Sequence, residues 1–599
     1  MSKLYRLVAL AVILALALSV GMVLVNAQDD VPGPGEGGLA IRGNTRGSAN
    51  LGPLVYLRCS GVDCADVNAW LWPAMIALDP NTQNYTVGEF GALANSYEVS
   101  EDGLTYTFSL RQDAFWNDGT PITATDLYFA WEASQQGEGV GLSSSYAPQA
   151  AQVTGAEIID DYTIAFSFDA SQCDALRQLA AYSALPAHAF GYTAGGDFDW
   201  ASMIDHPFDD APAVTGGPFN FDRLEPGTAI YLSANLNYYD PTGDYVVPQG
   251  LVFVDTPDDN VQVERLLANQ DGDINFVYEP GGAVFTTLRE ASDAGSIQYF
   301  QAPGRVWHYV ALNLADPANP QNGLDEDGNP IDQGRHPIFG DVRVRQALQH
   351  AINIDEVING PLNGNATAMV AGTIPTAYTL NPDLARRPFD LEAARALLDE
   401  AGWTSTGDPL VEGGDGLRTC TACETADSGT PLSFEIMHVV NDVRGEVAVV
   451  LQNQFAQIGV EVIVTPLDFN TMYDNNMGAQ TFDAAVAGWR GELPFNPDQR
   501  GIFGAENDIF GEGYGFNFPS YYNARLEELG ELIATGNCDE QARIDAAYEV
   551  QQILYEEQPY LWLYALDSAY AATNNVQGFD PRPGLGQWNL DAWNITSAQ

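Results

Sequence analysis

The chain has 599 residues, of which 80 are Asp or Glu and 24 are Lys or Arg, so its formal net charge at pH 7 is −56. Such a charge repels nucleic acids and anionic membrane surfaces, which argues against polyanion binding and agrees with a soluble protein adapted to salty surroundings. The length provides material for more than one hydrophobic core, and the hydrophobic fraction of 46% is ordinary for globular domains.

Residues 1–27 have the features of an export signal. Lys3, the only lysine in the chain, and Arg6 precede an uninterrupted apolar run from Leu7 to Leu18, and Val25-Asn26-Ala27 offers small residues for cleavage. We therefore predict a removable signal and an exported protein, periplasmic or extracellular and associated with the cell envelope. The alternative is a retained membrane anchor, because the mostly apolar stretch approaches the length of a membrane span.

Residues 28–50 are rich in Gly, Pro, Asn and Asp and show little periodicity. This composition predicts a flexible linker between the signal and the folded body. The folded part is then expected to begin near Leu51.

Residues 95–132 predict a strand followed by a capped helix. Apolar residues from Leu104 to Leu110 alternate with polar ones, as in a strand with one buried face, and Thr123 and Asp126 have the spacing of a capping box. The stretch resembles the signature of the family 5 extracellular solute-binding proteins, the peptide and nickel receptors of ABC importers. The residues that match are Asp102-Gly103-Leu104-Thr105-Tyr106-Thr107-Phe108, Leu110-Arg111, Phe115, Asp118-Gly119 and Asp126.

Later segments extend this resemblance over nearly all of the mature chain. In residues 341–353, Asp341 is placed to cap a helix whose apolar residues fall on one face, and residues 523–534 and 539–557 also predict helices. The further segments similar to the family are Gly216-Gly217-Pro218-Phe219, Leu266-Leu267-Ala268-Asn269-Gln270-Asp271-Gly272-Asp273-Ile274 and residues 391–403.

The resemblance implies an α/β, periplasmic-binding-protein-like two-lobe hinge fold (type II, cluster C) with an extra subdomain in the first lobe. Lobe I would comprise residues 51–90, 210–305 and 565–599, the extra subdomain residues 91–209, and lobe II residues 306–564. Two chain crossings, near 300–306 and 560–568, would form a hinge that lets the lobes close on a solute.

The segment Ala485–Asp498 resembles the part of the family that lies at the cleft. Asp498 matches the aspartate that pairs with a ligand's α-ammonium in peptide-binding members, although Asn496-Pro497-Asp498 departs from the usual Asp-Pro-Asp-Pro and the register could slip. Trp489 would supply an apolar wall and Arg490 a fork for a carboxylate. The alternatives are core packing for Trp489 and a surface ion pair for Arg490.

Three residues on the strand that enters lobe II are further ligand candidates. Trp307, Tyr309 and Asn313 share one face of that strand, because alternate residues point the same way. The same arrangement would also suit a hydrophobic core.

Six cysteines in an exported chain predict disulfides. Cys59 and Cys64 bound a short loop and are expected to be joined. For Cys420 and Cys423 a structural disulfide is favoured over a redox or zinc site, because no second pair follows at zinc-ribbon spacing. Cys173 and Cys538 could pair only if their lobes touch, so they remain unassigned.

Neither a metal nor a cofactor is expected, and the motifs of an enzyme are missing. Residues 325–332 bunch oxygen donors as calcium loops do, but an EF-hand register would place Gly323 and Gly334 where acidic ligands are needed, so a solvated acidic loop is favoured. The sequence contains no H-E-x-x-H and no G-x-S-x-G motif.

The resemblance therefore implies a monomeric solute-binding protein that takes a short peptide into an interlobe cleft and delivers it to an ABC permease in the membrane. Within the same family, an oligosaccharide or a chelated metal is the alternative solute. A secreted hydrolase is the alternative of a different class.

Overall fold

The computed structural model describes residues 32–597, apart from residues 46, 50, 144–150, 240–245, 441–442, 512 and 536–537. The predicted signal of residues 1–27 lies outside this part of the chain, as do the first residues of the predicted linker. Among the described residues, no helix is long and apolar enough to cross a membrane.

The chain before the long central strand forms lobe I and its subdomain. The N-terminal elements are β1 (Leu39–Asn44), α1 (Val62–Leu71), β2 (Ala77–Leu78) and β3 (Tyr85–Thr86). The subdomain elements are β4 (Ala94–Val99), β5 (Thr105–Leu110), α2 (Ala124–Ser134), β6 (Gly155–Asp160), β7 (Thr163–Ser167), α3 (Ala175–Leu179), α4 (Ala187–Phe190) and α5 (Pro207–Asp210). Lobe I resumes with β8 (Phe219–Glu225), β9 (Ala229–Ala234), β10 (Gly250–Asp255), α6 (Asp259–Ala268), β11 (Phe276–Tyr278) and α7 (Phe285–Asp293).

The long strand β12 (Ile297–Leu312) leads into lobe II, and a second long strand, β19, leads back. Lobe II contains α8 (Val342–His350), α9 (Ile354–Asn359), β13 (Ala366–Ala368), α10 (Leu391–Glu400), β14 (Trp403–Pro409), β15 (Gly416–Cys420), β16 (Ser433–Val439), α11 (Val443–Ala456), β17 (Glu461–Leu467), β18 (Ala484–Arg490), α12 (Arg500–Phe503), α13 (Ala524–Ala534) and α14 (Glu540–Glu557). The chain ends with β19 (Tyr560–Thr573), β20 (Val576–Gln577) and β21 (Asn594–Ile595).

Short turns of helix fill several connections. The 3-10 turns are Tyr56–Arg58, Gly137–Val140, Trp200–Met203, Gly282–Val284, Ala505–Asn507 and Leu590–Ala592, and a π-helical turn spans Thr471–Met477.

Within the described residues, one 11-stranded sheet runs through both lobes in the order β17-β16-β18-β12-β19-β11-β1-β10-β9-β8, with β13 paired to β19. Strands β12 and β19 run antiparallel and belong to both lobes. Their register is regular from Ile297 to Pro303 and then shifts twice, between Pro303 and Trp307 and between His308 and Tyr309. The first shift lies at the crossing predicted at 300–306.

Gly304 lies at this register shift, where the two strands come unusually close. A Cβ atom at Gly304 would lie 2.6 Å from the carbonyl oxygen of Leu566. Only glycine fits there without displacing the backbone, because such a separation is far below van der Waals contact. The hinge therefore combines a broken register with a residue that has no side chain.

Both faces of the sheet in lobe II are buried. Along β12, Tyr309 and Ala311 pack into a core beside α12, α13 and α14, whereas Val310 and Leu312 pack into the core on the opposite face. This alternation follows from the period of two in a strand and leaves little of β12 exposed in lobe II.

The subdomain has its own sheet but not its own core. Its four strands pair in the order β4-β5-β7-β6, and its residues Phe108 and Trp116 belong to the same buried cluster as Leu251 and Phe253 of lobe I. The predicted capping box of α2 is confirmed, since the backbone N–H of Thr123 donates to the carboxylate of Asp126 at 2.8 Å.

The predicted linker of residues 28–50 is wrong for residues 39–44. These residues form β1, a buried strand that pairs in parallel with both β10 and β11. The apolar run is only a few residues long and ends in Arg42, so composition alone does not predict a strand here. Arg42 is buried because it pairs with Asp66 at 3.0 Å and lies 4.6 Å from the ring centre of Tyr278.

Asp508 is a buried carboxyl group that ties the loops of lobe II together. It accepts hydrogen bonds from Gln480 at 2.6 Å and Ser520 at 3.1 Å, and its backbone oxygen accepts from the N–H of Gly323 at 2.7 Å. Burial raises the pKa of Asp508 to about 7, against the lowering effect of these hydrogen bonds.

We expect Asp508 to make the folded protein less stable as the pH rises from about 4 to about 7, because the folded state holds a proton that the unfolded chain releases near 3.9. Asp508→Asn should remove about 2–4 kcal/mol of that pH dependence. Calorimetric melting temperatures at pH 4.5 and pH 8 measure it. If the melting temperature changes equally between these two pH values in the wild type and in Asp508→Asn, the raised pKa of Asp508 is contradicted.

Candidate functional site

Three neighbouring cavities lie along the cleft side of lobe II, and Asn496 lines all of them. The hinge cavity, of about 170 Å³, lies beside β12 and β18 and is lined by Trp307, Trp489, Arg490, Asp498 and Gln499 among others. The tyrosine cavity, of about 360 Å³, and the polar cavity, of about 290 Å³, lie between the subdomain and lobe II. Together they reach the size of a typical ligand site at a domain interface.

Trp489 forms one wall of the hinge cavity. Its ring stacks on Phe518 with centroids 5.8 Å apart and an interplanar angle of 7°, and it also contacts the ring of Phe516. The indole is only partly buried, so one part packs against the core and another lines the cavity. Trp307 lines the same cavity from β12, although only 2% of it is exposed.

Arg490 joins the lobes through an ion pair. Its guanidinium lies 3.2 Å from the carboxylate of Glu279, which follows β11 in lobe I. Glu279 also accepts hydrogen bonds from Ser568 and Tyr570 at 3.3 and 3.2 Å. The side chain of Arg490 is 49% exposed, so the pair contributes at most about 1 kcal/mol.

Asp498 is held by Arg500 in a bidentate pair. Arg500 places its Nε 3.1 Å and its Nη2 2.8 Å from the carboxylate oxygens, and its backbone N–H donates to Oδ1 at 3.0 Å. A second carboxylate, Glu531, accepts from the other Nη at 2.9 Å. Burial alone would lower the pKa of Arg500, but these two carboxylates raise it above its ordinary value.

Gln499 presents an unused acceptor beside Asp498. Its side-chain Oε1 is buried and has no hydrogen-bond partner among the described residues, although its amide nitrogen donates weakly to Asn496 at 3.4 Å. Gln499 and Asp498 line the hinge cavity together. A ligand donor placed there would satisfy a polar atom that is otherwise costly to bury.

The tyrosine and polar cavities contain residues that the sequence analysis did not identify. Arg177 of α3 lines both and reaches across the cleft to Glu492 at 3.0 Å. Tyr85 also crosses, with its hydroxyl 3.5 Å from the carbonyl oxygen of Leu493, and burial raises its pKa to about 12. Tyr97, Tyr378 and Arg543 complete the aromatic and basic lining.

The available sequence signal for these residues was the scarcity of basic side chains. A chain with 24 Lys and Arg against 80 acidic residues places Arg177, Arg490, Arg500 and Arg543 in one cleft. The sequence does not show that Arg177 of the subdomain meets the other three, because these lie in lobe II, far along the chain.

Tyr309 and Asn313 are structural, and their prediction as ligand residues is wrong. Both are fully buried, and Tyr309 stacks on Tyr560 with ring centroids 3.9 Å apart. The amide of Asn313 donates to the backbone oxygens of Gln480 and Phe482 at 2.9 and 3.0 Å. Strand β12 is covered on both faces in lobe II, and of the three candidates on it Trp307 lines the hinge cavity.

The structure joins the described cysteines in three disulfides. Cys59 is bonded to Cys64 and Cys420 to Cys423, in the pairs expected from the sequence. Cys173 of the subdomain is bonded to Cys538, which precedes α14 in lobe II, with their Cα atoms 4.9 Å apart. The lobes therefore touch, as the pairing of these two residues required.

The acidic loop of residues 325–332 is organised by hydrogen bonds. The Asp325 carboxylate accepts from the backbone N–H groups of Asp327 and Asn329 at 2.9 and 2.8 Å. Within the part of the chain that the structure describes, no three or more His, Cys, Asp or Glu side chains are grouped to hold a metal ion.

The chain is similar to one family over most of its length. The family model for Bacterial extracellular solute-binding proteins, family 5 Middle, matches residues 90–509. The oligopeptide-binding protein AppA of Bacillus subtilis is 25% identical over 518 residues, which are 84% of this chain and 83% of that protein.

Solved structures show the same two-lobe fold. The structure of AppA from Bacillus subtilis in complex with a nonapeptide has a TM-score of 0.65 and 22% identity, covering 94% of this chain and 100% of that one. NikA from Brucella suis in complex with Fe(III)-EDTA has a TM-score of 0.70 and 19% identity, covering 93% and 100%. The predicted α/β two-lobe fold is confirmed.

Because Asn313 supports the backbone rather than a ligand, Asn313→Ala should lower the free energy of unfolding by about 1–3 kcal/mol while leaving ligand affinity unchanged. Two buried carbonyl groups would lose their donor. Thermal melting and equilibrium dialysis measure the two effects. A stable variant with weakened binding would return Asn313 to the site.

Proposed function

Because the chain belongs to the bacterial extracellular solute-binding proteins of family 5, we propose that it is the extracytoplasmic receptor of an ABC importer and that its solute is a short peptide. It would be exported by its N-terminal signal, act as a single chain, and present the closed, loaded form to a membrane permease. The ligand would lie along these three cavities, with its amino terminus in the hinge cavity.

The observation that carries this proposal is the pair of acceptors in the hinge cavity. An ammonium group donates three hydrogen bonds and carries a positive charge, and it is complemented by a carboxylate and a free amide oxygen. Asp498 and the unpartnered Oε1 of Gln499 supply these two groups side by side. The partly exposed ring of Trp489 adds an apolar surface for the first side chain.

The contacts with Arg500 prepare Asp498 for this role. The bidentate pair fixes the carboxylate within the lining of the cavity. A carboxylate offers about four lone-pair sites and can serve a second donor beside a guanidinium. The ligand ammonium would then join an existing ion pair rather than bind an isolated charge.

The charges of the cleft also suit a zwitterion. Arg177 pairs with Glu492 and Arg490 with Glu279 across the lobes. These exposed pairs are weak, so they can form on closure and break on opening. Positive and negative groups placed along one cleft complement a peptide, whose ends have opposite charges.

Asp498→Asn should weaken the binding of a short peptide by roughly thirty-fold or more, because breaking one partner of a desolvated charge pair costs about 2–5 kcal/mol. Equilibrium dialysis compares trialanine with N-acetyl-trialanine. The wild-type protein should strongly prefer the free amine, and the variant should barely distinguish the two.

The matched control is Asp341→Asn. Asp341 accepts from the backbone N–H and Nε of Arg343 at 2.9 and 3.0 Å, the same arrangement as at Asp498, but it caps α8 away from the cleft. This variant should keep the preference for the free amine. Equal discrimination by the wild type and Asp498→Asn would rule out Asp498 as the ammonium partner.

The alternative solutes and the alternative class are separated by two further measurements. A nickel–histidine chelate and a maltotriose probe, dialysed in parallel, test the other solute classes. Mass spectrometry of trialanine recovered after long incubation tests turnover, since a receptor returns the peptide intact whereas a hydrolase cleaves it.

A further inference from the structure

Arg543 stands out among the arginines of the cleft because most of its guanidinium is unused. Its Nε donates to the backbone oxygen of Ile533 at 2.9 Å, and no described residue accepts from either Nη or forms an ion pair with it. Arg177, Arg490 and Arg500, by contrast, each have carboxylate partners. Arg543 lines both the tyrosine cavity and the polar cavity.

Arg543 shares the tyrosine cavity with hydroxyl and carboxyl groups. Tyr97 and Tyr378 line this cavity, and no described group pairs with the hydroxyl of either. Asp174 and Glu540 line it as well, but neither forms an ion pair with Arg543 among the described residues. The pKa of Tyr378 is raised by burial, lowered in part by the charge of Arg543, and raised by the charges of Asp174 and Glu540. Arg177 faces the same space but is committed to Asp174 and Glu492.

We propose that Arg543, with the hydroxyl of Tyr378, binds a carboxylate of the ligand in the tyrosine cavity. This inference rests on the proposed peptide function and deepens it. A guanidinium whose two Nη atoms have no partner among the described residues matches the geometry of a carboxylate, and Arg543 presents it to a cavity of about 360 Å³. The chain is strongly acidic, so a free arginine inside a cleft selects for an anion supplied by the ligand.

The carboxylate can come from the carboxyl terminus or from an acidic side chain. Equilibrium dialysis with trialanine, trialanine amide and Ala-Ala-Glu amide distinguishes these sources. The wild-type protein should bind the free acid about ten- to a hundredfold more tightly than the amide, because a hydrogen-bonded charged group contributes about 1.5–3 kcal/mol. If Ala-Ala-Glu amide binds as tightly as trialanine, an acidic side chain can also supply the carboxylate.

Arg543→Gln should abolish the preference for trialanine over trialanine amide. Arg543→Lys should keep part of this preference, because lysine retains the charge but lacks the bidentate guanidinium. The control is Arg525→Gln, which removes an arginine of α13 that is paired with Glu528 and Glu549 outside the cavities. If the ratio of the affinities for trialanine and trialanine amide is unchanged in Arg543→Gln, the assignment of Arg543 is overturned. The proposed peptide function is not, since the Asp498 experiment tests the ammonium end separately. Failure of the wild type to bind either peptide overturns both.

The disulfide between Cys173 and Cys538 carries a second, independent inference. It connects the subdomain to the turn before α14, and the two residues are 365 positions apart in the chain. The backbone N–H of Cys173 also donates to the oxygen of Ala534 at 2.8 Å across the same contact. Apart from the hinge strands β12 and β19, this disulfide is a covalent connection between the lobes within the described residues.

We infer that this disulfide is a latch that holds the cleft closed. The interlobe ion pairs are exposed and each contributes at most about 1 kcal/mol, so they allow opening. A covalent bond between the subdomain and lobe II restricts opening, so peptide exchange in the oxidised protein is slow. Cys538 is exposed, whereas Cys59, Cys64 and Cys420 are buried, so a reductant reaches the latch first.

Release of the latch requires a dithiol reductant. One thiolate of the dithiol attacks the sulfur of Cys538, and Cys173 leaves as a thiolate that takes up a proton. The second thiol of the reductant then attacks the mixed disulfide, which frees Cys538 as a thiol and leaves the reductant as a disulfide. Two electrons and two protons pass to the protein.

The double variant Cys173→Ser/Cys538→Ser tests the latch, with Cys59→Ser/Cys64→Ser as the control. Without peptide, the latch variant should have a larger radius of gyration in solution scattering than the oxidised wild type, and trialanine should reduce it. Loaded fluorescent trialanine should leave the variant more than tenfold faster, whereas the control should release it at the wild-type rate. Dithiothreitol should make the wild type behave like the latch variant, with circular dichroism confirming that it stays folded. Equal scattering and equal release rates in the oxidised wild type and the latch variant would overturn the inference.

Discussion

The pairing of β12 with β19 is the constraint on which the rest of the structure depends. These two strands run antiparallel through both lobes, so each lobe's sheet is built onto the same pair. Their ladder shifts register between Pro303 and Trp307, where Gly304 lets the backbones approach closely, and again between His308 and Tyr309. A continuous ladder would resist bending, and two unconnected strands would leave the lobes without a fixed orientation. The broken ladder gives a defined axis of motion and places β18, which pairs with β12, at the edge of the cleft.

The chemistry of the cleft follows from that placement and from the unusual charge of the chain. Strand β18 ends in Trp489 and Arg490, and the loop that follows carries Glu492, Asn496 and Asp498 between the lobes. In a protein with net charge −56, carboxylates are available everywhere on the surface and give no selectivity by themselves. The distinguishing groups are the arginines. Three of them are paired within the cleft, whereas no described residue accepts a hydrogen bond from either Nη of Arg543.

The local elements were predictable because their residues act on their neighbours in the sequence. The capping box of Thr123 and Asp126 and the cap of α8 by Asp341 both depend on contacts two or three residues apart, and both are present. Strand β1 was missed because its stability comes from parallel partners more than 200 residues away rather than from its own composition. Tyr309 and Asn313 were misplaced because alternation along a strand identifies a face without showing whether that face is covered.

The sequence by itself determined the family, the two-lobe fold and the position of the cleft segment, because these depend on motifs of neighbouring residues that survive in a single chain. Only the tertiary structure decided which side chains meet in the cleft. It buried Asn313, brought Arg177 to Glu492, and joined Cys173 to Cys538. These contacts cross between lobes or between distant loops, and their distances are set by how the two sheets close about the hinge. No spacing within the sequence encodes them.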